Sequence, residues 1–262
     1  MNLWRAIRYP YQNMPKILSM ALILGIALVA FGSMIERGEA LRSSSAYWNH
    51  RGLSLDDLGL SGLFLTLACF MIWLAGYSLD VIRHASRGYR SLPVIDFLGN
   101  LGGGLVFWLS RLLWSVVGLI LILELFKAAP GRSPAVDLVI VAAGLIFALE
   151  TVAASVRCAA LRQASAALAF PKNLAFLLEN RTAFAGLLAR LLLLNAVYVM
   201  AGNAYVQTMS WIERAFRFDS YLIFIAMFCV GVLIFLFQFM SSLHLVGQFA
   251  YMTRPDLDGQ PY

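Results

Sequence analysis

The chain has 262 residues, of which 61% are hydrophobic and only 13% charged, against about 25% charged in ordinary soluble domains. That composition excludes a disordered chain, a collagen and a small disulfide scaffold, and it exceeds what a soluble domain of this length can bury. Twenty Lys and Arg against fourteen Asp and Glu leave a net charge of +6, which in so apolar a chain reads as a topological signal and not as a nucleic-acid footprint.

A helix needs about 20 mostly apolar residues to cross a bilayer. In chain order, the stretches that qualify are Ile17–Ile35, Leu58–Ile82, Leu105–Phe126, Val136–Val156, Leu187–Met209 and Tyr221–Met252. Their runs are continuously apolar, whereas barrel strands alternate over about 10 residues. The expected fold is an all-α integral membrane protein: one transmembrane domain over 1–262 with about six spans. Helix starts are expected at Ser54-Leu55-Asp56-Asp57, at Ser133-Pro134 and at Asp219 or Ser220. The first span is expected to be retained, because its apolar run is longer than a signal-peptide core.

Placing the N-terminus in the cytoplasm puts thirteen Lys and Arg on the inner side and seven on the outer. The positive-inside rule therefore predicts cytoplasmic N- and C-termini. Trp4 and Trp108 then mark the inner interface, and Trp48 and Trp211 the outer one.

Two inner loops share a pattern. Arg83 is followed by basic residues, Pro93, Gly104-Leu105 and Arg111; Arg157 is followed by basic residues, Pro171, Gly186-Leu187 and Arg190. After each Pro the apolar residues fall at helical spacing, Val94, Phe97, Leu98 and Leu101 in one loop and Leu174, Leu177 and Leu178 in the other. Both read as short cytoplasmic-side amphipathic helices lying in the interface plane, and Leu3, Trp4, Ile7 and Tyr11 suggest a third. Spans two–three and four–five thus read either as a parallel repeat or as two ordinary basic turns. Gly102-Gly103-Gly104 reads as a flexible turn opening a span, since it lacks a phosphate-loop ending.

Ionisable groups inside a membrane are functional candidates by default. Glu150 reads either as a proton or cation site or, preferably, as the partner of Arg190 or Arg111 in a packing ion pair. Asn195, Asn203 and Gln207 form a stripe on span five that reads as a polar interior or as packing seam, the seam being preferred. His244 and Gln248, with Ser241 one turn earlier, read as a hydrogen-bonded seam or a docking face. Asp80, Arg83 and His84 share one helical face. With Arg87, Arg90, Arg157, Arg162 and Lys172 they are candidate contacts to lipid headgroups or a partner. Cys69, Cys158 and Cys229 form no CxxC pair and read as apolar fillers. No catalytic fingerprint occurs, so neither an enzyme, a cofactor nor a metal site is expected.

The same residues carry a family resemblance. Arg8-Tyr9-Pro10-Tyr11 ahead of the first span, Gly76-Tyr77, Arg83, Gly88, Leu92-Pro93 and Asp96, the Arg162–Leu188 region, and His244-Leu245-Val246-Gly247-Gln248 resemble the domain-of-unknown-function family numbered 4013. The family's acidic and Trp residues after the opening motif are replaced here by Gln12-Asn13-Met14. The resemblance implies a prokaryotic multi-spanning protein of the cytoplasmic membrane and supplies no reaction. The expected role is a non-catalytic membrane subunit that scaffolds or associates with a membrane complex. The alternative is a permease or lipid-handling component. Expected partners are anionic lipids on the cytoplasmic face and a membrane protein or a second copy of the chain, with no nucleic acid.

Overall fold

A computed structural model describes residues 1–22, 24–25, 55–128, 134–161, 163–216 and 220–253. Helix dominates, and there is no strand among the described residues. In chain order they are α1 (Leu3–Gln12), α2 (14–22 and 24–25), α3 (Leu55–Ser86), α4 (Phe97–Ala128) and α5 (Pro134–Leu161), then a 3-10 turn (Ala164–Leu168), α6 (Phe170–Glu179), α7 (Arg181–Phe216) and α8 (Ser220–Thr253). Among the described residues, four segments are long and apolar enough to cross a membrane: Phe97–Ile120, Asp137–Leu161, Arg181–Ile212 and Met227–Thr253. These are the last four stretches expected from the sequence. The 17–35 stretch lies largely outside the described residues, and 58–82 falls within α3, some of whose side chains are also outside them.

The helices carry their apolar side chains outward as well as inward. Only 22% of the apolar window is buried in three of the four segments, and 39% in the last. Leu112, Leu113, Val116, Leu119 and Ile120 on α4 are all exposed. An apolar exterior of this extent fits a lipid solvent. In that solvent a continuous helix is also the economical backbone, because every N–H and C=O finds its partner within the segment.

The chain divides into two compact units, with boundaries inside α1, α3, α7 and α8. One comprises Met1–Ala6, Ile72–Leu192 and Ser242–Tyr262. Its core gathers Leu79, Ala154, Cys158, Ala166 and Ala167, with Phe107 and Leu161 packed against them. Helices α3 and α4 approach backbone to backbone. A Cβ on Gly76 would strike the carbonyl oxygen of Asn100, and one on Gly104 would strike that of Ile72. Gly102-Gly103-Gly104 is therefore not a flexible turn but part of continuous α4. Close packing of Gly104 against α3 offsets the low helix propensity of glycine there, while Gly102 and Gly103 have open space around them. Helix α8 meets the end of α3 in the same manner, since a Cβ on Gly247 would meet Ala85 and the Ile82 carbonyl.

The two inner loops fold differently. Residues 87–96 are non-helical, and α4 begins at Phe97 and runs on without a break, so no separate amphipathic helix follows Pro93. Asp96 starts α4 by accepting the backbone N–H of Gly99 at 3.1 Å, an N-cap bond. After α5, the 3-10 turn is followed by a separate α6 with Pro171 in its first turn. Its buried residues are Asn173, Phe176 and Leu177, while Leu178 from the expected apolar face is exposed. The face is rotated because Phe176 seeks the Phe249 ring, 6.0 Å away edge-on, and Asn173 finds polar partners inside.

The other unit comprises Ile7–Met71 and Leu193–Ser241. Within it Tyr11 packs on Phe237, ring centroids 5.0 Å apart. The Asn13 amide donates to the Tyr9 carbonyl at 3.0 Å where α1 gives way to α2. Helices α7 and α8 are joined by hydrogen bonds from Gln238 to Asn195 Oδ1, 2.6 Å, and between Tyr198 and Ser241, 3.2 Å.

Candidate functional site

Glu150 on α5 is a carboxylate with no exposed surface. Its Oε2 pairs with Arg111 Nη1 from α4, and its Oε1 accepts a 2.6 Å bond from Asn173 Nδ2 on α6. Asn173, also fully buried, accepts in turn from Arg157 Nη1 at 2.7 Å. The second guanidinium arm of Arg111 donates to the Ala167 carbonyl in the 3-10 turn, and the Phe107 ring lies 5.6 Å from its centre. The network therefore ties together α4, α5, the 3-10 turn and α6. Of the two expected partners of Glu150, the structure brings Arg111 to it; Arg190 bonds the carbonyl of Gly186 one turn back on its own helix, at 2.8 Å. Arg111 meets the carboxylate directly and Arg157 joins the network through Asn173, and Coulomb attraction in a low-dielectric interior strengthens the Arg111–Glu150 pair.

Nearer the end of α3, Arg83 pairs with Asp80 at 2.8 Å and donates from Nε to the Ala159 carbonyl at 3.1 Å. Asp80 and Arg83 border a cavity of about 290 Å³ with Asp96, Asn100, Gly76 and Cys158. Asn100 is 3% exposed, and its Nδ2 meets no hydrogen-bond acceptor among the described residues. His84 instead tilts against Tyr89, centroids 4.8 Å apart.

That contact belongs to the C-terminal cap of α3. Gly88 has φ +80°, its N–H bonds the Ala85 carbonyl at 3.0 Å, and the Tyr89 N–H bonds the His84 carbonyl at 3.2 Å. These are the two bonds of a Schellman motif, and the Tyr89–His84 contact supplies its side-chain component. The motif turns Arg87, Tyr89 and Arg90 toward a cavity of about 550 Å³. Helix α8 contributes His244, Gln248 and Tyr251 to the same cavity, and α1 contributes Arg5. Gln248 holds the start of α1 in place by a reciprocal clip. The Asn2 N–H donates to Gln248 Oε1 at 2.5 Å, and Gln248 Nε2 donates to the Asn2 carbonyl at 3.2 Å. Asn2 itself caps α1 by accepting the Arg5 N–H at 3.1 Å.

The remaining expected residues do not converge on these places. Asn203 and Gln207 are exposed on α7, as is Asn195, which bonds Gln238. They border neither cavity, because the buried stripe of α7 is Phe184, Leu187, Leu194 and Tyr198. Lys172 is exposed on α6, and Arg162 lies outside the described residues. No group of His, Cys, Asp and Glu able to hold a metal occurs among the described residues. Sequence reasoning missed Asn173 and the joining of Arg5 with Arg87, Arg90 and Gln248. The signals that point to them are Asn173 two residues after Pro171 and Gly88 in a basic stretch.

Fold and site together define a helical protein of the membrane type with a buried charge network centred on Glu150 and, among the described residues, cavities beside the end of α3. Comparison with known protein families, with curated proteins and with solved structures finds no match.

Proposed function

We propose that the chain is a non-catalytic multi-pass membrane subunit that scaffolds or associates with a membrane complex. The observation that carries this reading is the closure of the Glu150 network. Both carboxylate oxygens are engaged, by Arg111 and Asn173, and neither cavity reaches the group. An acid so engaged braces helices and offers no site for a travelling proton or cation. The outward apolar faces of α4, α5 and α7, with most of each window unburied, supply surface for a partner helix in addition to lipid. A second copy of the chain fits the same surface.

In its finer form the proposal has six spans, with 17–35 and 58–82 joining the four long apolar segments. Both termini lie in the cytoplasm of a prokaryotic cell, and the inner face is rich in Arg and Lys. The shared Arg–Pro–Gly–Leu pattern of the two inner loops supports a parallel repeat of spans whose connecting loops have diverged in structure, and the motifs from Arg8 to Gln248 support membership of the family numbered 4013. The second reading, a permease or lipid-handling component, is favoured by the 550 Å³ cavity, which falls within the usual size range of small-molecule sites.

Purification of tagged full-length chain in mild detergent tests the first reading. Stoichiometric recovery of a partner polypeptide, or a defined oligomer, is expected. A monodisperse lone chain in both mild detergent and lipid nanodiscs refutes it.

A further inference from the structure

We infer that the cavity between the end of α3, the start of α4 and α5 binds a primary ammonium with an oxygen acceptor close to it, as in an ethanolamine group. The source of that group is either a lipid headgroup or a free amino alcohol. This goes beyond the scaffold reading and does not depend on a protein partner.

The argument begins with hydrogen bonds left unmade. Asn100 on α4 borders this cavity of about 290 Å³, is 3% exposed, and its Nδ2 meets no acceptor among the described residues. A buried donor without an acceptor is costly, and native structures supply one from protein, water or ligand. Two carboxylates border the same space. Among the described residues, Asp80 accepts through Oδ1 from Arg83, and Asp96 through Oδ1 from the Gly99 N–H. The second oxygen of each is left for a ligand. An occupant that suits all three groups accepts from one amide and donates to two carboxylates. A bare metal cation accepts no hydrogen bond, and an anion is disfavoured beside two carboxylates. A primary ammonium brings three N–H donors, and its charge relieves the repulsion between Asp80 and Asp96. The oxygen two carbons away supplies the acceptor for Asn100. A quaternary ammonium has no N–H to give.

The second line is placement. The apolar segment of α4 begins at Phe97, one residue after Asp96, and Cys158, which also borders the cavity, lies three residues before the end of the α5 segment. Gly103, the last residue of α4 to border the cavity, is about 9 Å inside that segment at 1.5 Å per residue. The cavity is therefore within reach of headgroup depth. Its wall passes from exposed Asp96 through half-buried Asp80 to buried Asn100. Its shape is fixed by packing. Gly76 and Gly104 bring α3 and α4 backbone to backbone beside Asn100. The N-cap bond holds Asp96, and Arg83 ties Asp80 to the Ala159 carbonyl on α5. The volume stands at the small end of the usual range for ligand pockets, about 300–1,000 Å³, which suits a headgroup fragment.

The test uses the full chain in a neutral, amine-free detergent near neutral pH. Binding of ethanolamine and short-chain phosphatidylethanolamine is measured by calorimetry, with choline and short-chain phosphatidylcholine as controls. Saturable binding of at least one ethanolamine probe is expected, with its choline counterpart about tenfold weaker or more. Ethanolamine as tight as the lipid identifies a free amino alcohol as the ligand. Lipid binding without it identifies a headgroup site. Asn100→Leu should weaken binding about tenfold or more yet leave the ligand-free melting temperature unlowered, because it removes a donor that has no partner. A merely structural Asn100 gives the reverse. Asp96→Asn keeps an N-cap residue and removes the charge, so it should weaken binding to a similar degree. Glu179→Gln, at an exposed acid on α6 that does not border the cavity, should change nothing. Should the cavity variants not fold, carbodiimide coupling of the isotope-labelled ethanolamine probe to the unaltered chain must mark Asp80 or Asp96 above Glu179. Binding of neither ethanolamine probe, equal binding of the choline counterparts, unchanged binding in folded Asn100→Leu and Asp96→Asn variants, or coupling no greater at Asp80 and Asp96 than at Glu179 overturns the inference.

Discussion

Replacing Glu150 by Ala is expected to be among the most destabilising single changes available in this chain. The side chain is fully buried, and its removal strands Arg111, itself only 9% exposed, without a counter-charge. Breaking a buried pair by deleting one member costs about 3–5 kcal/mol. Asn173 also loses its acceptor, and an orphaned buried donor adds about 1–3 kcal/mol. Replacing both members, Glu150→Leu with Arg111→Leu, removes the stranded charge and is expected to cost much less than Glu150→Ala alone, because buried pairs often exchange for apolar residues at little loss. The assay is the temperature at which half of the monodisperse peak is lost on size-exclusion chromatography in detergent, for wild type, both single Leu variants and the double variant. A strong positive coupling between the two sites is expected. Equal melting of Glu150→Ala and wild type, or strict additivity of the two Leu changes, refutes the brace.

Three further outcomes follow from packing. Gly76→Ala and Gly104→Ala each force a Cβ onto the opposing backbone and should cost more than the usual 1–3 kcal/mol of overpacking, whereas Gly118→Ala, with open space around it, should be neutral or stabilising in the same melting assay. Gly88→Ala strains a residue at φ +80° by about 1–2 kcal/mol and should lower the melting temperature in the same assay; unchanged melting contradicts the left-handed cap at the end of α3. Gln248→Leu removes both bonds to Asn2, so hydrogen exchange should quicken at residues 2–6 while the Glu150 region stays protected; unaltered exchange at residues 2–6 contradicts the clip.

The long apolar runs made the four membrane-type segments legible, because helix and lipid both demand about 20 unbroken apolar residues. Glu150 stood out for the same reason in reverse, as a lone acid inside such a run. Which arginine would meet it was not legible. Arg111 and Arg190 stand at comparable depths, and the choice depends on the 3-10 turn at Ala164–Leu168 presenting the Ala167 carbonyl to Arg111. Gly102-Gly103-Gly104 reads as a turn on glycine propensity alone; the fact that is not local is the register of Gly104 against Gly76, which is tertiary. The residues that carry the family resemblance have physical roles in this fold. Gly76 and Gly247 permit close approach, Gly88 a left-handed cap, Asp96 an N-cap, and Gln248 a clip. Tyr77 donates to the Pro93 carbonyl at 3.4 Å. The arginine cavity was divided between two separate sequence groupings, interfacial cations and a polar stripe, since nothing local places Arg5 beside Gln248.

The clip between Asn2 and Gln248 also sets an order of events. The two residues are 246 positions apart, so at roughly 5–20 residues per second the ribosome releases Asn2 some 12–50 s before its partner exists. Throughout that interval the start of α1 is unanchored and Arg5 has no cavity to border. A nascent chain stalled before α8 can form the α3 cap, the α3–α4 crossing and the Glu150 network, all of which lie upstream. It cannot form the arginine cavity. The start of α1, among the first residues made, is thus fixed in place only after every other described helix has been synthesised.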